Sequence, residues 1–234
     1  MADAALRIAI VGAESTGKTT LAQALVPRLA ADSGLRVTWV PELLREWCDH
    51  AGRTPRVHEQ AAILRAHHRR IEQAAAVHDI VVCDTTALMT AVYSRLVFSD
   101  SSLEARAAAL HRRMALTLLM ALDLPWVADG HQRDGPHVRE PVDTLLRETL
   151  TAHRLPWAVV AGTGLARLEN ALDAIAPLVR GIALGCGPQS GGSSDGGGFF
   201  SRLAGRNGDP AAGRWRCEHC DDPACEVQCL QLGR

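Results

Sequence analysis

At 234 residues, with 25 Lys+Arg against 26 Asp+Glu and a formal net charge of −1, the chain has the size of one α/β domain with something small attached. Hydrophobic residues make up 47% and charged residues 22%, which excludes a wholly disordered chain; the balanced charge leaves no electrostatic footprint for nucleic acid or an acidic membrane. No apolar run reaches transmembrane length, and residues 1–11 lack the basic segment of a signal peptide, so the cytoplasm is the expected compartment.

Leu6 to Val11 reads as a first strand. It runs directly into Gly12-Ala13-Glu14-Ser15-Thr16-Gly17-Lys18-Thr19, a full G-x-x-x-x-G-K-[ST] phosphate loop, with Thr20 next in the nucleotide-binding set. Glycines let the backbone N–H groups turn inward around phosphates, and the helix that follows adds positive potential. Lys18 would reach the β- and γ-phosphates of ATP, and the Thr19 hydroxyl would hold Mg²⁺. Lys18 is also the one lysine among the 25 basic residues. The helix extends from about Lys18 to Asp32 and closes at Ser33-Gly34, with Pro27 predicting a kink.

Leu35 to Val40 is a second strand, and Glu42 follows it at what should be the carboxyl edge of a sheet. There Glu42 would bind ribose hydroxyls, act as a base, or simply be a solvated carboxylate at a helix start. Val57 to Val77 is a long helical pattern with Ala62, Leu64 and Ile71 on its apolar side. His67-His68, flanked by Arg65, Arg69 and Arg70, is read as its wet face rather than an anion site.

Asp79 to Cys83 is a third, wholly apolar strand, and Asp84 ends it. Asp84 is read as a ligand of Mg²⁺-bound water, a base for a substrate hydroxyl, or the N-cap of a helix starting near Thr86. Thr85 stands where many motion-coupled ATPases carry Glu, which tilts the reading from hydrolysis toward transfer onto a bound acceptor. The lack of a second lysine excludes N-K-x-D GTPases and protein kinases. Ala115 to Leu122 is ambiguous between strand and helix. Residues 129–136 form a polar loop in which Arg133 would close over the phosphates as a lid arginine or stay solvated. Pro141 to His153 is helical, Ala158 to Ala161 a last strand, Gly162-Thr163-Gly164 a turn able to line adenine, and Leu165 to Leu178 a last helix. This alternation specifies an α/β domain over residues 1–180, a parallel sheet flanked by helices.

Residues 181–213 are rich in Gly, Ser and Pro and read as a flexible linker. Residues 214–234 hold Cys217, Cys220, Cys225 and Cys229 in the spacing C-x₂-C-x₄-C-x₃-C, a pattern that points to metal rather than disulfides. Zn²⁺ on four thiolates is the first reading. A [4Fe-4S] cluster is the second, weakened by Leu230 where a proline usually follows the fourth cysteine and by the lack of a second run; a metal-free redox cluster is the third. Cys48, Cys83 and Cys186 are isolated, and Cys83 is expected to be a buried strand residue.

Gly12 to Thr19, Pro41-Glu42 with Arg45-Glu46, Asp84-Thr85 ahead of a helix, and Pro125-Trp126-Val127-Ala128-Asp129-Gly130 with Arg133 together resemble the nicotinamide riboside kinase domain of NadR-type proteins. Those are P-loop ATPases of NAD metabolism, and the resemblance covers about residues 7–180. It implies a five-stranded parallel P-loop NTPase fold in which the stretch near Leu116 to Met120 is a strand. It also implies Mg-ATP as donor and the 5′-hydroxyl of a nicotinamide nucleoside as small-molecule acceptor. Asp84 would face that acceptor, Asp129 and Arg133 would be lid or substrate-side residues, and Trp126 would stack on a planar base. The nucleotidyltransferase and DNA-binding parts of NadR are expected to be absent, and the cysteine tail is foreign to the pattern.

The expected activity is therefore an ATP-dependent small-molecule kinase with Lys18, Asp84, Glu42 and Arg133 at its centre. A regulatory ATPase that controls a protein partner through the cysteine tail is the alternative, and a metal or redox sensor with a vestigial kinase core a third.

Overall fold

In the computed structural model, residues 5–127 and 135–185 are described. Five strands form one parallel sheet: β1 (Leu6–Val11), β2 (Val37–Val40), β3 (Ile80–Asp84), β4 (Leu116–Met120) and β5 (Trp157–Val160), in the spatial order β2-β3-β1-β4-β5. β1 lies between β3 and β4, with Ile10 opposite Asp84 on one side and Ala9 opposite Thr117 on the other. The chain therefore leaves β1 toward one edge and later returns to its other side, which opens a crevice at the carboxyl end of β1.

The helices are α1 (Lys18–Ser33), α2 (Leu43–Ala51), α3 (Val57–Ala75), α4 (Ala87–Phe98), α5 (Glu104–His111), α6 (Arg139–Ala152) and α7 (Gly164–Gly185), with a 3₁₀ turn at Pro136–Val138. β1, β3 and β4 are apolar on both faces because helices cover both. Ala9 and Val11 face a core built with Leu64 and Ile71 of α3, Leu88 of α4 and Leu146 of α6. Ile8 and Ile10 point the other way and are fully buried, and α1 and α7, in contact with each other and with β1, lie on that side. Cys83 is fully buried within β3, and that burial pushes its thiol pKa up to about 12.

The resemblance's five-stranded parallel sheet is present, and the ambiguous stretch Ala115 to Leu122 is a strand. α1 continues through Pro27 and ends, as expected, on Gly34 in a left-handed cap (φ 70°) whose N–H donates to Ala30 O.

Four readings change. Ala62 is exposed, whereas Ile63, Leu64, His67 and Ile71 are buried. His67 is accordingly a core residue and not part of the wet face of α3; Arg65 and Arg69 hold that face. α2 and α5 add two short helices that periodicity had not marked. α7 runs on to Gly185, so regular structure continues into the stretch read as the start of the linker. The remainder of that stretch, Cys186 and the cysteine tail with Cys217, Cys220, Cys225 and Cys229 lie outside the described residues, as do Asp129 and Arg133. Among the described residues, no helix is long and apolar enough to cross a membrane.

Candidate functional site

The phosphate loop leaves β1 through backbone conformations that side chains resist. Gly12 has φ 152°, and a Cβ there would lie 2.9 Å from Met120 Cβ, so no larger residue fits against β4. Gly17 (φ 79°) then starts α1, while Ser15 between them takes φ 55°. Thr16 Oγ1 donates to Ala13 O at 2.8 Å and stiffens the bend from inside. Lys18 Nζ curls over the loop and donates to Gly12 O at 3.0 Å and Ala13 O at 2.8 Å.

The sheet register brings the second element to it. Because β3 pairs directly with β1, Asp84 ends its strand beside the loop, and Thr19 Oγ1 donates to Asp84 Oδ2 at 2.6 Å. Burial pushes the Asp84 carboxyl pKa up, while the Thr19 hydrogen bond, Lys18 and Arg45 pull it down. Asp84 is not a helix cap: Thr86 takes that place, its Oγ1 accepting from Leu88 N at 3.2 Å. Asp84 Oδ1 is buried with no hydrogen-bond partner. One hydroxyl, one carboxylate and one unused buried carboxylate oxygen are hard donors that fit Mg²⁺ shared with ATP phosphates. Among the described residues no cluster of three or more His, Cys, Asp or Glu offers a self-sufficient metal cage.

A cleft of about 490 Å³ opens from this point. It is lined by loop residues Glu14 to Thr20 and Asp84, and also by Trp39, Tyr93, Phe98, Met89 and Pro55. Glu42 also lines it, because β2 pairs with β3 and delivers Glu42 to the same sheet edge as Asp84. Burial raises the Glu42 pKa; Asp84 and Glu14 add to that rise, and Lys18 and Arg45 oppose it. As the residue before α2, Glu42 makes no capping hydrogen bond with its side chain, and it lines the cleft. Arg45, Glu46 and Asp49 continue the charged lining. Gln60, one turn into α3, adds a buried amide.

Two sequence candidates stand elsewhere. Trp126 does not line this cleft; its indole Nε1 is buried without a hydrogen-bond partner. The neighbouring Val127 is joined to the phosphate loop, with Ser15 Oγ donating to Val127 O at 3.0 Å and accepting from Val127 N at 3.1 Å. Gly162 to Gly164 likewise lies outside the cleft lining, held by Gly162 N donating to Asp123 Oδ2 at 2.6 Å.

That last contact belongs to a group that sequence reasoning missed. Arg167, 4% exposed, donates from Nε to Gly162 O at 2.6 Å, and its other nitrogens donate to Thr16 O and Asp123 Oδ1. One guanidinium thus joins the phosphate loop, the exit of β4 and the exit of β5. Although burial works against it, Asp123 is held below the usual carboxylate range by the Gly162 and Arg167 hydrogen bonds. In a chain whose basic residues are nearly all arginine, nothing local marks Arg167. The aromatic lining was equally silent, since Trp39 comes from β2 and Tyr93 and Phe98 from α4, far apart in the chain.

Residues 7–167 match the family model described as "AAA domain". No curated protein matches the chain. Among solved structures, the NadR protein in complex with NAD and AMP-PNP is similar at 19% identity and TM-score 0.58, covering 81% of this chain and 52% of that one. The NadR protein in complex with NR gives 20% identity and TM-score 0.59, covering 81% and 53%. Thymidylate kinase from Ehrlichia chaffeensis gives 16% identity and TM-score 0.54, covering 75% of this chain and 99% of the kinase. The chain spans about half the length of the NadR chains it matches. These likenesses are likenesses of fold, and the fold they share is that of P-loop kinases.

Proposed function

The chain belongs to the AAA domain family, and from its phosphate loop and cleft we propose an ATP-dependent small-molecule kinase that phosphorylates the 5′-hydroxyl of a nicotinamide riboside-like nucleoside. The observation that carries this reading is the 2.6 Å contact of Thr19 with Asp84 in a cleft that is also lined by Glu42 and by the aromatic side chains Trp39, Tyr93 and Phe98. A site for hydrolysis alone has no use for that aromatic lining. A protein of the same fold bound to NR supports the choice of acceptor.

In this reading Lys18 and the loop amides hold the β- and γ-phosphates of ATP and offset the charge that spreads over the transferred group. Mg²⁺, when bound by Thr19 and Asp84 together with the phosphates, supplies further charge neutralisation. The aromatic lining holds the base and sugar of the acceptor, so that its hydroxyl oxygen lies in line with the γ-phosphorus. Glu42 takes the hydroxyl proton as the new O–P bond forms; its raised pKa makes it a stronger base than a solvated carboxylate. The bond from the γ-phosphorus to the β–γ bridging oxygen breaks, and ADP leaves. Arg133 is assigned the part of a lid arginine. The tail with Cys217, Cys220, Cys225 and Cys229 is assigned an accessory Zn²⁺ site.

The test is ADP release from Mg-ATP with and without nicotinamide riboside, with a Lys18→Ala variant as control. Riboside-stimulated release that falls about a hundredfold or more in Lys18→Ala is expected, the scale of losing one preorganised charge donor. ATP bound but turned over at the same rate with or without the riboside would overturn the acceptor assignment.

A further inference from the structure

His111, the last residue of α5, is 1% exposed and absent from the cleft lining, yet both of its ring nitrogens are engaged. Nδ1 lies 2.9 Å from Thr86 Oγ1, and Nε2 lies 2.7 Å from Thr117 Oγ1. A neutral imidazole has one N–H and one lone pair, and rotating the two threonine hydroxyls satisfies both contacts in either tautomer. No carboxylate stands among the groups that act on the ring, and burial alone pushes its pKa down to about 4. The ring therefore bridges in its neutral form.

What it bridges is informative. Thr117 is an interior residue of β4, rigidly paired opposite Ala9 of β1. Thr86 ends the turn Asp84-Thr85-Thr86, which carries the carboxylate that meets Thr19. Within that turn Thr85 has φ 65°, a left-handed conformation that a β-branched residue resists. Such a conformation persists only where its surroundings hold it on more than one side. One hold is Thr85 N donating to Ile10 O at 3.0 Å. The other is the chain of contacts Thr86–His111–Thr117.

We infer that His111 is a positioning residue, clamping the Asp84–Thr86 turn to β4 so that the Asp84 carboxylate stays aimed at Thr19. This rests on the reading of Thr19 and Asp84 as the Mg²⁺-holding pair. Without the clamp the strained turn relaxes, the 2.6 Å contact is no longer enforced, and Mg²⁺ meets a donor pair that must first be ordered. The phosphate loop itself is built by Gly12, Thr16 and Lys18 and does not depend on the clamp.

The experiment is a titration of Mg²⁺ into the full chain with a fluorescent ATP analogue, reading the Mg²⁺ concentration that half-saturates tightened binding. His111→Asn and His111→Gln each break one end of the bridge, and Thr117→Val removes the far anchor with little change of shape. His67→Asn, at the other buried histidine among the described residues, is the control for lost stability alone. All three clamp variants should need about tenfold more Mg²⁺, the scale of one buried hydrogen bond. Their Mg²⁺-free affinity for the analogue should stay within about twofold of wild type, and His67→Asn should leave the Mg²⁺ requirement unchanged. If Thr117→Val binds the analogue with wild-type Mg²⁺ dependence, or if His67→Asn shifts it as much as the clamp variants do, the clamp is refuted. A wild-type protein whose analogue binding ignores Mg²⁺ would instead overturn the Thr19–Asp84 reading beneath it.

Discussion

Arg167→Ala tests whether one buried guanidinium organises the nucleotide side of the site. The substitution removes the donors to Gly162 O, Thr16 O and Asp123 together. Breaking a buried ion pair from one side costs about 3–5 kcal/mol. Asp123 keeps a third of its side chain in water, so hydration recovers part of its loss. Thr16 is fully buried, so its carbonyl has less access to replacement water. The low end of that range, about 3 kcal/mol, is therefore expected, or a fall in Tm of about 6–12 °C for a domain of this size. Because the Thr16 carbonyl orients part of the phosphate loop, ATP affinity should fall by about tenfold as well, the scale of one charge-assisted hydrogen bond. Arg167→Lys should recover less than half of either loss, since a single ammonium cannot reach three acceptors lying in different directions. Thermal unfolding with and without ATP, paired with calorimetric ATP titration, reads both quantities. A Tm within about 2 °C of wild type and an unchanged ATP affinity would show that the three loops hold themselves.

Two pH-linked predictions follow from buried ionisable groups. Burial, reinforced by Asp84 and Glu14, raises the Glu42 pKa above its unfolded value, so its contribution to stability is present at acid pH and lost as pH rises through the folded pKa. Glu42→Gln should therefore raise Tm at pH 7–8 and give little gain near pH 4, about where the unfolded carboxyl titrates, while loss of the proposed base should cost about a hundredfold or more in kcat. Thermal scans across that range decide it, and a Tm gain that does not vary with pH would count against the burial. His67 has the opposite sign. Burial, and then Arg70, lowers its pKa to about 4, so the native state loses stability as pH falls from about 6.5 toward about 4. His67 Nε2 has no hydrogen-bond partner, so replacing the ring by an apolar side chain leaves no donor or acceptor stranded there. His67→Leu should flatten this acid limb in urea unfolding at pH 5 against pH 7.5; an unchanged limb would place the ring in contact with water.

The phosphate loop and its place between a strand and a helix were legible from the chain's order alone. An apolar run, a loop of fixed spacing and a helix start are consecutive in the chain, and the chemistry of Gly12, Lys18 and Thr19 needs only that order. Asp84 was legible for a related reason: a fully apolar strand has to be central in a parallel sheet, and its last residue falls at the carboxyl edge. His67 was misread through its arginine neighbours, although the spacing Ile63, His67 and Ile71 marks one helix face. Other features carried no local mark. The stretch around Leu116 is a strand because β1 and β5 flank it, a fact absent from its own periodicity. Glu42 was an even choice between cleft and solvent until the pairing of β2 with β3 set it beside Asp84. The aromatic lining, the Arg167 junction and the His111 clamp join distant parts of the chain: His111 meets Thr86 across 25 residues, and Arg167 meets Thr16 across 151. Local patterns encode which segments become strands and helices; strand order and helix packing decide which distant side chains meet, and only the tertiary structure contains those.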